Sequence, residues 1–591
     1  MPGLSVSQIA LDVSEGRATC EQVVLAALER AAGYDAVQPQ AWIARRDQAE
    51  VLADARRVDA RRAAGERLAL AGVPYAVKDN IDVAGMPTTA GCPQFTYVAA
   101  QSATVVARLQ AAGAVLLGKT NLDQFATGLA GTRSPYGAPA CVFNRQYISG
   151  GSSSGSAVVV AAGVVPLALG SDTAGSGRVP AAFNGLVGYK PTRGRWSSTG
   201  LVPACRSLDC VTSFTTDAAD AALVDSVLAA FDDADPYSRQ PPGAAPARLG
   251  PAFRFGVAGD AQLEFLGDSE ARALYEAAPE RLARCGGRPV QVDLSPLLQA
   301  AQLLYAGPWV AERVVAIEDL LRSQPGALHP VVRSIIQAGS GISGAQAFRG
   351  FHRLQEYLRA TQHLWERIDV LLLPTVPTIY RLAEVLAEPV GLNANLGIYT
   401  NFVNLLDMSA VAIPAGFRAN GTGFGVSLIG PAWADPELIA LAGRFGATGP
   451  RLEAPALDLA ARLATVRLAV VGAHLSGMPL NWQLAARNAR LVGRTRTAAA
   501  YRLYAMAGQS PPKPALVHVG AAGRAIEVEV YELDIASFGT FVAEVPAPLA
   551  IGSVDLEDGS AVRGFVAEPR ALIGAEDITA SGGWRAYIAS R

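Results

Sequence analysis

The chain has 591 residues, half of them hydrophobic, and a formal net charge of only −2. That length exceeds what one core usually supports, so a large catalytic-sized domain and at least one further domain are expected. With no basic field there is nothing to hold nucleic acid, no acidic block marks a tail, and a small substrate fits this charge balance better.

The first 70 residues read as helices: SVSQIALDVSEG, then CEQVVLAALERAAGY, then an alanine- and arginine-rich segment up to Glu66. After Gly72 the pattern changes. Short apolar runs (VPYAV, AVLLG, PLALG, FRFGVAG, DVLLLPT, AVAIPAG) alternate with helical stretches such as SATVVARLQAAG and SEARALYEAAPERLARCGG, which predicts an α/β domain with a mostly buried sheet. Residues 295 to 365 read as helical, are divided by Pro308 and Pro330, and form a candidate lid over the sheet. The α/β pattern ends with the helix DPELIALAGRFG, followed by a proline-marked connector. LAVVGAH, ALVHVG, IEVEVYEL and SVDLEDGSAVRGFV then read as strands of a small β-rich unit. The expected division is a catalytic domain over 1–450, a linker over 451–466 and a C-terminal domain over 467–591.

Six cysteines (20, 92, 141, 205, 210 and 285) are scattered without a CxxC, which argues against a zinc site, a redox pair or a secreted disulfide frame and predicts a cytoplasmic setting. No basic-then-apolar leader opens the chain, and no run reaches about 18 uninterrupted apolar residues, so neither a signal segment nor a membrane anchor is expected. Of the 50 basic residues only Lys78, Lys119, Lys190 and Lys513 are lysines. Where charge alone suffices this sequence uses arginine, so each lysine raises the question of whether it must lose its proton, which arginine cannot do.

Three motifs compete for the chemistry. GAVLLGKT, residues 113–120, satisfies GxxxxGK[ST], the nucleotide phosphate loop, but AVLL is itself a buried-strand sequence and Gly113 has the place of a helix cap. GSSSG, 151–155, fits G-x-S-x-G with Ser153 as nucleophile. That elbow needs a strand ending at the serine, and CVFNRQYISG is a poor one; His329, His352 and His363 lack a loop signature that would supply the base. The third candidate is Lys78 in GVPYAVKDNID, at the end of an apolar strand. Burial can lower its pKa until it serves as a base, while a salt bridge to Asp79 or Asp82 is the ordinary alternative. Further on, GSDTAGSGR follows the strand-like PLAL and a helix can begin after Pro180, which puts Ser176 before a helix N-terminus with N–H groups able to face a developing oxyanion.

Over 73–195 these residues resemble the amidase signature family, from GVPYAVKDNIDVAGMPTTAG through LLGKTNLDQFATG and SGGSSSGSA to LGSDTAGSGRVPAAFNGLVGYKPTRGR. The resemblance implies a mixed, mostly parallel central sheet covered by helices. It implies Ser176 as nucleophile, Ser152 as a bridging serine preceded by a cis peptide, Lys78 as base and Ser153 as a supporting hydrogen-bond donor. It further implies an oxyanion hole from the N–H groups of Thr173, Ala174, Gly175 and Ser176, with no metal or cofactor.

Within that family, the length and the β-rich C-terminal unit are similar to those of the allophanate hydrolases, whose C-terminal domain resembles the γ-glutamylcyclotransferase-like fold. LLYAGPWVAERVVAIEDLL is similar to their specificity segment, so that Tyr305 and Arg313 are the implied substrate-binding pair, with the backbone at Thr127 and Gly128 beside them. An arginine fork suits a small planar carboxylate. Read without the resemblance, Arg313 is equally a helix charge beside Glu312. His474 is a candidate proton donor for a decarboxylation step, or a packed core histidine. The implied partners are a small-molecule substrate, allophanate, a second copy in a homodimer, and a functional association with urea carboxylase, with no nucleic acid and no membrane. The competing readings are another amidase of the family, a glutamine amidotransferase subunit, and a non-catalytic scaffold on an amidase-like core.

Overall fold

In the computed structural model, which describes residues 5–243, 249–448, 455–457 and 465–590, the chain divides into two compact units. One comprises Met1–Arg133 and Pro139–Leu459, the other Ser134–Ala138 and Ala460–Arg591. Most of the connector expected over 451–466 lies outside the described residues.

The first unit opens with α1 (Val6–Ser14), α2 (Cys20–Asp35) and α3 (Gln48–Ala63). Their starts are written in the sequence: Ser5 and Asp47 cap α1 and α3, and Thr19 with Gln22 forms a capping box on α2. Each helix buries small or branched residues at helical spacing, such as Val24, Ala27 and Ala31 of α2. Between α2 and α3 a short strand that periodicity does not announce, β1 (Trp42–Arg45), joins the main sheet.

The remaining strands of that sheet are β2 (Pro74–Lys78), β3 (Val115–Thr120), β4 (Leu167–Asp172), β5 (Val187–Lys190), β6 (Cys210–Thr215), β7 (Phe253–Ala258), β8 (Gly287–Val292), β9 (Val370–Pro374), β10 (Met408–Phe417) and β11 (Gly423–Pro431). Among the described residues they form eleven strands in the order β1-β3-β2-β4-β6-β5-β10-β11-β9-β7-β8. β2, β3 and β4 are buried along their whole length, which is why they read as continuous apolar runs. The sheet is mixed, but the expectation of a mostly parallel one is corrected. β3–β2, β2–β4, β9–β7 and β7–β8 run parallel, and the other six neighbouring pairs run antiparallel. The antiparallel majority comes from the centre, where β10 and β11 are joined by a short connection that needs no crossover helix.

Two short helices matter for the site: α5 (Ser154–Ala161), which follows α4 (Thr104–Ala111), and α6 (Arg178–Phe183). α6 begins at Arg178, two residues before Pro180; proline is tolerated there because the first-turn N–H groups have no intrahelical acceptor. The phosphate-loop reading of 113–120 does not survive. Val115–Thr120 is a strand, and Gly113, with φ +92°, ends the turn after α4. Residues 295–367 are helical as expected, including α7 (Trp309–Ser323), whose dihedrals break at Ile317.

The second unit is built on a five-stranded sheet, ordered Arg490–Arg496, Glu527–Asp534, Thr465–Val470, Ala561–Ala567, Leu549–Asp555, with a three-stranded sheet of Pro514–His518, Tyr501–Ala505 and Glu576–Asp577. Leu468, Val470, Leu503, Val528, Val530 and Phe565 share its core. Among the described residues no helix is long and apolar enough to cross a membrane.

α5 lies tight against the backbone just before β1 and just after β3. A Cβ on Gly155 would stand 2.2 Å from Ala41 O and 2.6 Å from Asn121 N. Gly155→Ala is therefore expected to cost about 2 kcal/mol, the scale of overpacking a filled site, read as a lower urea midpoint than the wild type's.

Candidate active site

β2 and β4 are parallel neighbours, with Val77 opposite Leu169, so their C-terminal ends emerge on the same side of the sheet. That puts Lys78, the last residue of β2, beside Ser171 of β4. Lys78 Nζ lies 2.8 Å from Ser171 Oγ and 2.7 Å from Ser152 Oγ, and all three side chains are buried. Asn80 Nδ2 donates to the same Ser171 oxygen at 3.1 Å.

The salt-bridge alternative for Lys78 fails, because the adjacent carboxylates are engaged elsewhere. Asp79 pairs with Lys119 at 2.9 Å and accepts the Thr89 N–H at 3.0 Å. Asp82 accepts from the Thr88 hydroxyl and the Tyr97 hydroxyl, each at 2.8 Å. Burial lowers the Lys78 pKa to about 7, against the opposing fields of Asp123, Asp209 and Asp172.

The peptide bond between Gly151 and Ser152 is cis. Ser153 stitches this loop to β4: its hydroxyl donates to Ser171 O at 3.1 Å and accepts the Ser171 N–H at 3.3 Å, while its own N–H donates to Ser176 O at 3.3 Å. Ser176 lies in the turn between β4 and α6. Its hydroxyl donates to Gly128 O at 3.4 Å, a long contact, and no hydrogen bond links it to Ser152 among the described residues.

Asp172 organises that turn. It accepts the N–H groups of Gly175 at 2.9 Å and Gly177 at 3.1 Å and pairs with Arg178 at 2.9 Å, both side chains fully buried. Burial alone would raise the Asp172 pKa, yet the Arg178 guanidinium and the N–H donors hold it below its usual value. This corrects one of the four expected oxyanion donors. The Gly175 N–H is spent on Asp172, so only those of Thr173, Ala174 and Ser176 stay candidates.

Arg313, on α7, is buried, and its Nη1 donates to Thr127 Oγ1 at 2.9 Å. Its Nε and Nη2 have no hydrogen-bond partner among the described residues. Those two groups share one edge of the guanidinium, the edge that meets a carboxylate with two parallel hydrogen bonds. The half-exposed Tyr305 ring lies 5.4 Å from the Arg313 guanidinium carbon. Thr127 and Gly128 thus join the two ends of the site, one touching Arg313 and the other Ser176.

Residues 22–439 match the family model described as Amidase, and 466–589 match the one described as Allophanate hydrolase C-terminal domain. The chain belongs to the amidase family. It is 44% identical over 88% of its length to the urea amidolyase of Saccharomyces cerevisiae, of which it spans only 30%. It is 37% identical over 66% of its length to a glutamyl-tRNA(Gln) amidotransferase subunit from Symbiobacterium thermophilum, covering 86% of that protein. The solved allophanate hydrolase of Kluyveromyces lactis superposes with a TM-score of 0.70 at 41% identity, covering 100% of this chain and 99% of that one.

Sequence reasoning missed Ser171, Asn80 and Asp123. Asp123 lies buried behind Thr127 and Gly128 and accepts the N–H groups of Gly131 at 3.0 Å and Arg133 at 2.8 Å; Arg133 in turn donates to Thr127 O at 2.9 Å. The only sequence signal was polarity in NLDQFATG just after a buried strand. His474 belongs to the second unit and lines a cavity of about 160 Å³ with Gln483, Lys513, Glu544, Phe541 and Phe565. Its ring stacks on Phe565 and its Nε2 lies 2.6 Å from Gln483 Oε1. Burial lowers its pKa to about 4, so it is neutral at pH 7.

With Lys78 as the expected base, its pKa would set the pH dependence. Below about 7 Lys78 carries its proton and cannot accept another; above it the amine is free. Amide hydrolysis is expected to rise with pH to a plateau, with an acid limb near pH 7 in kcat/KM measured from pH 5 to 9. A flat profile across that range would exclude Lys78 as the base.

Proposed function

We propose that this chain hydrolyses allophanate to ammonia and, after decarboxylation, carbon dioxide, through a Ser176 acyl-enzyme with Ser152 and Lys78 as its proton relay. Neutral Lys78 takes a proton from Ser152 as Ser152 takes one from Ser176, whose hydroxyl must turn from Gly128 O to Ser152. Ser176 then attacks the terminal amide carbonyl, and the N–H groups of Thr173, Ala174 and Ser176 meet the oxyanion. Ser152 returns the proton to the departing nitrogen, ammonia leaves, and water enters by the same relay. The product, N-carboxycarbamate, loses carbon dioxide.

The observation that carries the substrate is the bare Nε and Nη2 edge of a buried guanidinium. Unpartnered donors of a buried charged group are costly, and one planar carboxylate satisfies both. The Kluyveromyces lactis enzyme named allophanate hydrolase, matched along its whole length, supports the same substrate. Association with a urea carboxylase that supplies allophanate fits the much longer urea amidolyases, and a homodimer belongs to the same proposal. Six unpaired, buried cysteines suit the reducing cytoplasm.

In the second unit, a neutral His474 held to an amide is a hydrogen-bonding group around the decarboxylating product and a poor acid, so its part is orientation within the cavity. The amidotransferase reading explains neither this unit, which the two-thirds match leaves largely uncovered, nor the open arginine edge.

Ammonia release from allophanate, malonamate and glutamine tests the proposal. Allophanate is expected to be preferred; Ser176→Ala should abolish turnover, and Arg313→Ala should raise KM for allophanate by about a hundredfold, as loss of a bidentate charged contact does. Preference for glutamine would overturn the substrate while leaving the relay intact.

A further inference from the structure

Beside Arg313 stands Glu312, and the two do not pair with each other. The Glu312 carboxylate takes both donors of one serine instead: the Ser207 N–H at 2.8 Å and the Ser207 hydroxyl at 2.7 Å. Ser207 lies in the loop that runs into β6, and the end of that loop is gathered by Asp209. Buried, Asp209 accepts the N–H groups of Ala204 at 2.8 Å and Cys205 at 3.2 Å and the hydroxyl of Thr173. Thr173 is the first residue of the oxyanion turn. The adjoining ladder sets Asp172 opposite Cys210, so loop and turn leave the sheet side by side.

We propose that Glu312 and Asp209 are positioning residues that couple Arg313 to the oxyanion turn, so that seating the substrate carboxylate on Arg313 sets the N–H groups facing the scissile carbonyl. The proposal rests on the substrate reading above. Its path is continuous: Arg313, the adjacent Glu312, two hydrogen bonds to Ser207, the short loop to Asp209, and the Thr173 hydroxyl. Hydrogen bonds to carboxylates are the stiffest kind available to side chains. The helix end they hold is separable from the rest, because Ile317, at φ −136° and ψ 23°, interrupts α7 one turn beyond Arg313. Besides the packing of buried Trp309 and Val310, residues 309–316 are tied by hydrogen bonds from Ser207 to Glu312, from Arg313 to Thr127, and from the Cys205 thiol to the Trp309 carbonyl at 3.4 Å. A carboxylate filling the open arginine edge draws on that same segment. Binding at one end of the substrate then becomes geometry at the other, which lowers the barrier to reaction beyond what affinity alone would do.

The test compares allophanate with propionamide, an amide of similar size that lacks the carboxylate, on the full chain. Glu312→Ala is expected to lower kcat for allophanate by about tenfold with KM changed less than about twofold, and to leave kcat/KM for propionamide within about twofold of wild type. Glu312→Gln, which keeps one acceptor, should restore most of the loss. Ser207→Ala, which removes a single hydroxyl and guards against a folding defect, should move kcat for allophanate in the same direction by less. Equal losses on both substrates, or a loss for allophanate confined to KM, would overturn the coupling while a wild-type preference for allophanate leaves the substrate reading standing. A wild type indifferent to the carboxylate would overturn both.

Discussion

The site depends on an amine buried among hydroxyls with no carboxylate in contact. A lysine in that position loses solvation it cannot recover by ion pairing, and its pKa falls. Asp123, Asp172 and Asp209 oppose the effect from a distance, and each is satisfied by other groups: backbone N–H groups for Asp123, Arg178 for Asp172, Thr173 and backbone for Asp209. They act on Lys78 through space without capturing its proton. Their own hydrogen bonds build the loops that carry Thr127, Gly128 and the turn from Thr173 to Ser176, so the residues that shape the backbone also set the field at Lys78.

The opposite end of the site uses a group that cannot lose its proton. Arg313 is as buried as Lys78, but its single side-chain donation to Thr127 leaves a flat edge bare. In the proposed reaction lysine stands where a proton must move and arginine where a planar anion must be held, a division that follows from their pKa values and donor geometries. The distance between the two tasks is bridged by backbone, through Thr127 and Gly128 on one side and the loop ending at Asp209 on the other.

Much of this was legible in sequence because the chemistry leaves local marks. Uninterrupted apolar runs announced β2, β3 and β4, and the scarcity of lysine drew attention to Lys78. The turn SDTAGSGR separated Ser176 from the serines of GSSSGS, of which Ser154 and Ser156 prove to be α5 residues. What stayed hidden was long-range. β6, CVTSFT, is buried throughout although half its residues are polar, and two of its three hydroxyls are absorbed by neighbours: Thr212 donates to Tyr189 O and Thr215 to Asp217 O. Ser171 partners Lys78 only by virtue of the register between β2 and β4. The fate of the Gly175 N–H depends on where Asp172 folds back, and the antiparallel majority of the sheet on which strands meet at its centre. None of these has a periodicity to read.

The lysine argument itself is narrowed by the structure. Rarity pointed to four positions, and Lys78, Lys119 and Lys190 all prove buried, so burial does not distinguish the base. Partners do. Lys119 has Asp79 at 2.9 Å and the Thr88 hydroxyl at 2.7 Å, a closed ion pair that fixes the loop after β2. Lys190 donates to Pro191 O at 2.6 Å and faces Cys210, holding the end of β5. Lys513 lines the cavity of the second unit with His474. Of the four, Lys78 alone pairs full burial with hydroxyl partners and no carboxylate in contact; hydroxyls can exchange protons with an amine, while a carboxylate beside it would keep it charged. In a chain that otherwise spends arginine on charge, a lysine is therefore a question, and the hydrogen-bond partner is what answers it.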